Sequence, residues 1–184
     1  QSGIQAAIIS SPSTEHIQQA VQLAKAGVHI LIEKPLSNDL NGVSELINLI
    51  EENQLIGLIG YVFRYDPIAR EFAKYMENQV CGKILHVQVS CGSYLPGWRP
   101  EQDYKKSVSA SYATGGGVLL ELSHELDYIR WFFKDQKSVQ AYLHHSGTLG
   151  IEVEDSADII FFGGKGYPIA LHLDFNRRFP ERIC

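Results

Sequence analysis

VHILIEKP, residues 28–35, is the stretch whose reading decides the fold. The apolar run Val28 to Ile32 predicts a buried strand, and Glu33, Lys34 and Pro35 follow it without a break. A lysine at the carboxyl end of a parallel strand stands where open α/β sheets bind their ligands. Pro35 biases the residue before it toward extended backbone, so backbone geometry aims the Lys34 side chain.

Outward from this run, residues 5–10 (QAAIIS) predict a second buried strand. Residues 14–26 predict a helix with Ile17, Ala20, Val21 and Ala24 on one face, closed by Gly27. Together these segments form one βαβ unit. Ser37 and Asn38 are placed to cap a helix over 39–52, where Leu40, Val43, Leu46, Ile47 and Ile50 recur at helical spacing. Leu55 to Ile59 predicts the third strand. Near-continuous apolar strands separated by single helices predict a parallel sheet covered on both faces.

The pattern changes near residue 80. Asp66-Pro67 starts a short helix, and the longer segments 83–92, 137–145, 156–162 and 167–176 then fit an antiparallel sheet. GGKG at 163–166 reads as a hairpin turn, and SADIIFF before it alternates with period two. A helix is expected over 117–133. Before it lies a loop, 93–116, containing Pro96, Gly97, Trp98 and Pro100. A loop of that length inside a compact domain is more often functional than idle. The fold class is α/β, a parallel sheet followed by an α+β region with a mostly antiparallel open sheet.

Composition narrows the function. The 184 residues are 45% apolar, enough for a real core, and carry a net charge of −5, which offers no footprint for a nucleic acid. No apolar run approaches a membrane span, and the amino terminus lacks a basic-then-apolar leader pattern, so a cytoplasmic protein without a membrane partner is expected. Cys81, Cys91 and Cys184 are widely spaced and include no CxxC, which implies neither a disulfide framework nor a zinc site. His144 and His145 lack acidic or thiol partners at ligand spacing, and no metal is expected.

Four blocks, SSPSTEH (10–16), AGVHILIEKPLS (26–37), GYVFRYDP (60–67) and GGGVLLELSHELDYIRWFF (115–133), run through most of the chain. In this order and spacing the sequence resembles the glucose-fructose oxidoreductase, inositol dehydrogenase and MocA family of NAD(P)-dependent oxidoreductases. The resemblance implies an amino-terminal Rossmann domain, NAD or NADP as cofactor, and a second domain whose open sheet carries substrate contacts and an oligomer interface. The Gly-rich dinucleotide turn and its acidic ribose contact do not occur in these residues. The chain is therefore expected to be a central piece: the carboxyl-terminal half of a Rossmann sheet over 1–62, a connecting segment over 63–79, and part of a substrate and oligomerisation domain over 80–184.

Site residues follow from the same resemblance. Lys34 matches the family's catalytic lysine, which stabilises charge on the reacting oxygen; as a plain strand-end lysine it would be solvated or paired with Glu33. His124, with Asp127 three positions on, matches the family's acid-base histidine; a structural histidine beside Ser123 and Glu125 is the alternative. Family members usually carry an aspartate four residues before that histidine. Here Leu120 stands there, with Glu121 beside it. Ser10, Ser11, Pro12, His16, Glu33, Lys34 and Arg64 are candidate cofactor contacts. For His16 a packed or capping role is equally open, and for Arg64 a salt bridge with Asp66, Glu71 or a neighbour. Tyr94, Trp98, Arg99, Asp103 and Tyr104, with Asp127, mix aromatic faces and charged groups as a sugar requires. The implied substrate is a sugar, polyol or nucleotide-sugar, and the implied whole protein a homodimer or homotetramer. A catalytically silent binding member and a reductase of nonsugar carbonyls are the rival readings.

Overall fold

The computed structural model describes residues 3–164 and 166–184. It divides into two compact units, 1–61 with 113–115, and 62–112 with 116–184.

The first unit alternates β1 (Ala6–Ile9), α1 (His16–Lys25), β2 (His29–Ile32), α2 (Val43–Glu52) and β3 (Gly57–Ile59). Its strands lie in the order β1-β2-β3, all parallel, with Ile9 opposite Ile32 and Ile32 opposite Ile59. Ile9, Ile30 and Ile32 bury one face against Ile17, Ala20 and Ala24 of α1 and Leu46 of α2. The expectation of helices on both faces does not hold among the described residues: Ile8 is 70% and Leu58 45% exposed. Two successive crossovers that advance the same way with the same hand put both helices on one face.

The helix over 39–52 begins later than its spacing suggested. Asp39 instead forms a local turn, its carboxylate accepting from the Asn41 backbone at 2.8 Å, and Gly42 at φ 75° precedes the first helical residue. Leu40 is consequently outside the helix and 85% exposed.

The second unit begins with α3 (Pro67–Glu77), where Asp66 accepts from the Ala69 backbone N–H at 2.8 Å and Pro67 occupies the position that needs no donor. Then come β4 (Val87–Gly92), α4 (Val118–Glu121), α5 (His124–Phe132), β5 (Gln136–His144), β6 (Ser156–Gly163), β7 (Pro168–Asp174) and β8 (Glu181–Ile183). The sheet order is β5-β6-β7-β4-β8, with β4 and β7 parallel and the other pairs antiparallel. Residue 165 of the expected GGKG turn lies outside the described residues, but β6 and β7 pair as a hairpin requires, Phe162 opposite Pro168. Along β6 Ala157 and Ile159 are buried while Asp158, Ile160 and Phe162 are exposed, the period-two pattern of a sheet with one covered face. The inner face packs Val89, Ile159, Ile169, Leu171 and Leu173 around Ile129 of α5 and Phe133 just after it.

The single helix expected over 117–133 is two helices. Leu122, at φ −97° and ψ 31°, leaves helical geometry, and the chain restarts at His124. His124 therefore opens a helix instead of sitting in the middle of one.

Candidate functional site

In the first unit, parallel pairing brings the ends of β1 and β2 side by side. Ile9 lies opposite Ile32, and the Glu33 N–H donates to the Ile9 carbonyl at 2.9 Å, so the Ser10–Pro12 turn and the Glu33–Lys34–Pro35 turn emerge together at the carboxyl edge. Ser10, Pro12 and Glu33 are exposed there, while Ser11 and Lys34 are half-buried. The Lys34–Pro35 peptide is cis. At the end of β3 comes Gly60, whose N–H donates to the Ile32 carbonyl at 2.7 Å. A Cβ on Gly60 would stand 2.9 Å from the Glu33 carboxylate, so the absent side chain leaves room for Glu33 at this edge.

His16 takes the packed alternative. It is 1% exposed, with Nε2 2.8 Å from the Ser11 carbonyl oxygen and Nδ1 2.9 Å from that of Pro35. Carbonyl oxygens only accept, so the imidazole is the donor. Ser11 is held a second time, its hydroxyl donating to Gln19 Oε1 at 2.9 Å.

In the second unit, His124 stands at the start of α5 with its ring 5.0 Å from that of Phe63. Arg64, from the same short turn as Phe63, grips Asp127: Nε lies 2.9 Å from Oδ2 and a terminal nitrogen 2.7 Å from Oδ1. The sequence left Asp66, Glu71 or a neighbour open as partners for this arginine; the structure pairs it with Asp127, three residues after His124. Its guanidinium also lies 5.7 Å from the Trp131 ring centroid.

The break between α4 and α5 removes the helical relation between residue 124 and residues 120 and 121. Where Glu121 reaches follows from contacts instead: its Oε1 accepts from Ser109 Oγ at 2.6 Å. Glycines upstream make α4's approach possible. A Cβ on Gly116 would lie 2.6 Å from the Ser109 carbonyl group, and Gly117, at φ 112°, packs against the Glu154 carboxylate. Glu154 in turn accepts from the Leu119 N–H at 3.1 Å, at the positive end of that short helix.

Trp98, Arg99 and Tyr104 line one narrow crevice with Ser107 and Ser109. Trp98 donates from Nε1 to Ser93 Oγ at 2.7 Å and meets Phe175 edge-on. Tyr94 has its ring face covered by Arg178 at 3.9 Å. Asp103 is a turn cap, accepting from the Lys105 N–H at 3.1 Å, and the Tyr104 hydroxyl donates to the Leu149 carbonyl at 2.9 Å.

Sequence reasoning missed Glu125. It is fully buried, and Arg182 of β8 reaches it with Nε 2.6 Å from Oε1, fastening the helix of His124 to the sheet. A signal was present: Glu125 falls one turn before Ile129, on the face of α5 that is buried. A spacing of four through His16, Ala20 and Ala24 likewise marks His16 as a packed residue.

Two family models cover the chain in succession. Residues 1–61 match the one described as "Oxidoreductase family, NAD-binding Rossmann fold", and residues 69–183 match "GFO/IDH/MocA C-terminal domain". The chain belongs to the GFO/IDH/MocA oxidoreductase family. An uncharacterized oxidoreductase, sll0816, of Synechocystis is 30% identical over 141 residues, 76% of this chain and 37% of that protein. Levoglucosan dehydrogenase of Pseudarthrobacter phenanthrenivorans is 26% identical over 141 residues, 73% of this chain and 34% of that protein. The WlbA dehydrogenase of Bordetella pertussis, solved in complex with NADH and UDP-GlcNAcA, superposes with a TM-score of 0.82 at 22% identity, over 96% of this chain and 50% of that one. This chain thus spans between about a third and a half of the length of those relatives. The first unit carries a parallel Rossmann-type sheet of the NAD(P)-binding kind. Among the described residues no helix is long and apolar enough to cross a membrane, and no group of three metal-binding side chains occurs.

Proposed function

We propose that the protein containing this chain is an NAD(P)-dependent oxidoreductase that moves hydride to or from a secondary hydroxyl or carbonyl of a sugar, polyol or nucleotide-sugar. The observation that carries the reading is Lys34 at the carboxyl edge of a parallel sheet, in the strand-end turn beside Ser10–Pro12, within a chain of this family. The exposed ends of β1 and β2, with Gly60 leaving room beside Glu33, fit the part of a dinucleotide that lies along such an edge.

The bound nicotinamide supplies the acceptor or donor of hydride. Lys34 offers a cation to the substrate oxygen, which lowers the cost of alkoxide character. His124 takes the hydroxyl proton in oxidation and returns it in reduction. Arg64 orients Asp127, and Trp98, Arg99 and Tyr104 offer aromatic and charged contacts to the sugar. Residues 1–62 act as the dinucleotide part, 63–79 as the connection, and 80–184 as the substrate and oligomerisation part. Exposed Tyr142, Ile160 and Phe162 on the outer sheet face support a homodimer or homotetramer, and the protein works in the cytoplasm.

Titrating the intact protein with NADH and NADPH, followed by turnover on a panel of sugars, polyols and nucleotide-sugars, tests the reading. Lys34→Ala is expected to lower turnover by about a hundredfold while nucleotide binding persists. A protein that binds neither nucleotide, or a Lys34→Ala variant with normal turnover, overturns it. Nucleotide binding without turnover on any substrate would favour the silent member that Leu120 allows.

A further inference from the structure

One buried imidazole joins the two turns on which the proposed function depends. His16 opens α1, and its two nitrogens reach the carbonyl of Ser11, in the turn after β1, at 2.8 Å and that of Pro35, in the turn after β2, at 2.9 Å. Both carbonyls lie beyond the last residues of their strands, so neither is fixed by the β1–β2 ladder, which ends with Ile9 opposite Ile32. The ring is 1% exposed and offers no surface to a ligand. Its remaining effect is on backbone: the Pro35 carbonyl belongs to the residue after Lys34, and the Ser11 carbonyl to the turn whose hydroxyl is already tied to Gln19.

We propose that His16 is a positioning residue that clamps the turn after β1 to the turn after β2 and so sets where Lys34 stands relative to the cofactor-side residues Ser10–Pro12. This rests on the assignment of Lys34 and that turn in the proposed function. The physical case is one of tolerance. A displacement of about 1 Å in a reacting group can cost on the order of a hundredfold in rate. One ring serving both turns makes their separation a property of a rigid plane instead of two flexible loops.

The two contacts can be cut separately. Asparagine carries a donor near the place of histidine Nδ1 and glutamine near that of Nε2, so His16→Asn keeps the tie to Pro35 and His16→Gln keeps the tie to Ser11. In the intact protein, His16→Gln is expected to lower kcat by about tenfold or more and change the KM for NADH or NADPH little. His16→Asn is expected to do the reverse, raising the cofactor KM by several-fold while kcat stays within about threefold. Backbone amide resonances of Lys34 and Leu36 should shift in the glutamine variant and hold in the asparagine variant. Kinetic constants that move together in both variants, or do not move, overturn the proposal. Loss of folding in both would make His16 a residue of the fold alone and would overturn it too. Lys34→Ala measured alongside separates the two levels. If that variant keeps full turnover, the catalytic reading of Lys34 has failed, and the amide shifts still report whether His16 holds the turn.

Discussion

Arg64 and Asp127 form a two-pronged ion pair within the second unit, Nε at 2.9 Å from one carboxylate oxygen and a terminal nitrogen at 2.7 Å from the other. The aspartate side chain is only 11% exposed and the arginine 45%. Asp127 belongs to the first turn of α5, one helical turn beyond His124, so the pair fixes the end of the helix that presents the histidine. A planar fork matches a carboxylate in a way that an ammonium does not.

Arg64→Lys should therefore fail to restore what Arg64→Ala removes. Losing the fork from a largely buried carboxylate is expected to cost about 1–3 kcal/mol. Urea denaturation of the intact protein measures it. A lysine variant as stable as the parent would show that charge alone accounts for the contact.

His124→Asn should impair turnover by about a hundredfold or more and flatten its dependence on pH near neutrality, because the substituted amide neither takes nor gives a proton there. The fold should survive, since Phe63 still has a planar group to pack against. A pH–rate profile recorded beside the parent decides the point. An unchanged profile with full activity would remove His124 from the chemistry.

Gly116→Ala should destabilise the second unit by about 1–3 kcal/mol. The added Cβ would stand 2.6 Å from the carbonyl carbon and oxygen of Ser109 and from the Val108 oxygen, all main-chain atoms with little freedom to yield. Gly97→Ala is the control, because a Cβ there meets nothing within 4 Å. Equal melting temperatures for the two variants would contradict the packing seen at Gly116.

The difference between what the sequence disclosed and what it hid follows from the range of the forces involved. Val28 to Ile32 could be read as a strand because a buried parallel strand is apolar at every position, and Asp66-Pro67 as a helix start because a cap is a local hydrogen bond. Ser37 and Asn38 misled because Asp39 forms a competing local turn and Gly42 resets the backbone. The break before His124 was invisible for a different reason: Leu122 and Ser123 are acceptable helix residues, and the stop becomes apparent only with the three-dimensional backbone. Short β8 was missed because three residues carry no periodicity, although Arg182 within it supplies the partner of Glu125. Lys34 and His124 were proposed through motif order. The partners of Arg64 and Tyr94 were not, because those contacts depend on side-chain reach across the fold.

Arg182→Met should be among the more damaging single substitutions, because it leaves Glu125 buried without its guanidinium. Breaking one side of a fully buried pair costs about 3–5 kcal/mol, and the cost here is expected to be smaller because the Arg182 side chain is 46% exposed, whereas replacing both partners by apolar groups is often close to neutral. Arg182→Met with Glu125→Leu is thus expected to recover much of the stability lost by Arg182→Met alone. Denaturation midpoints for the two singles and the double complete the cycle. A double variant as unstable as the sum of the singles would show that the pair is not coupled.

Cys91 provides a test that depends on pH. Burial is the main force pushing its thiol up from an ordinary value of 9.0 to about 11, with the Glu125 carboxylate adding to it. The thiolate is the reacting species, so at pH 8 roughly one Cys91 in a thousand is reactive by ionisation alone, and its 5% exposure slows access further. Iodoacetamide should label exposed Cys81 at pH 8 and leave Cys91 unmodified in the folded intact protein, as read by peptide mass mapping. The same shift sets a sign for stability. Folded Cys91 holds its proton more tightly than the unfolded chain does, so its contribution is fully present below about pH 9 and is lost as pH rises through about 11. Relative to Cys91→Ala, the parent should therefore lose stability over that interval, a comparison that cancels the other groups titrating there. Labelling of Cys91 as fast as Cys81 at pH 8, or parallel stability curves for parent and variant between pH 9 and 11, would place the thiol in a far more open environment than the inner face of this sheet.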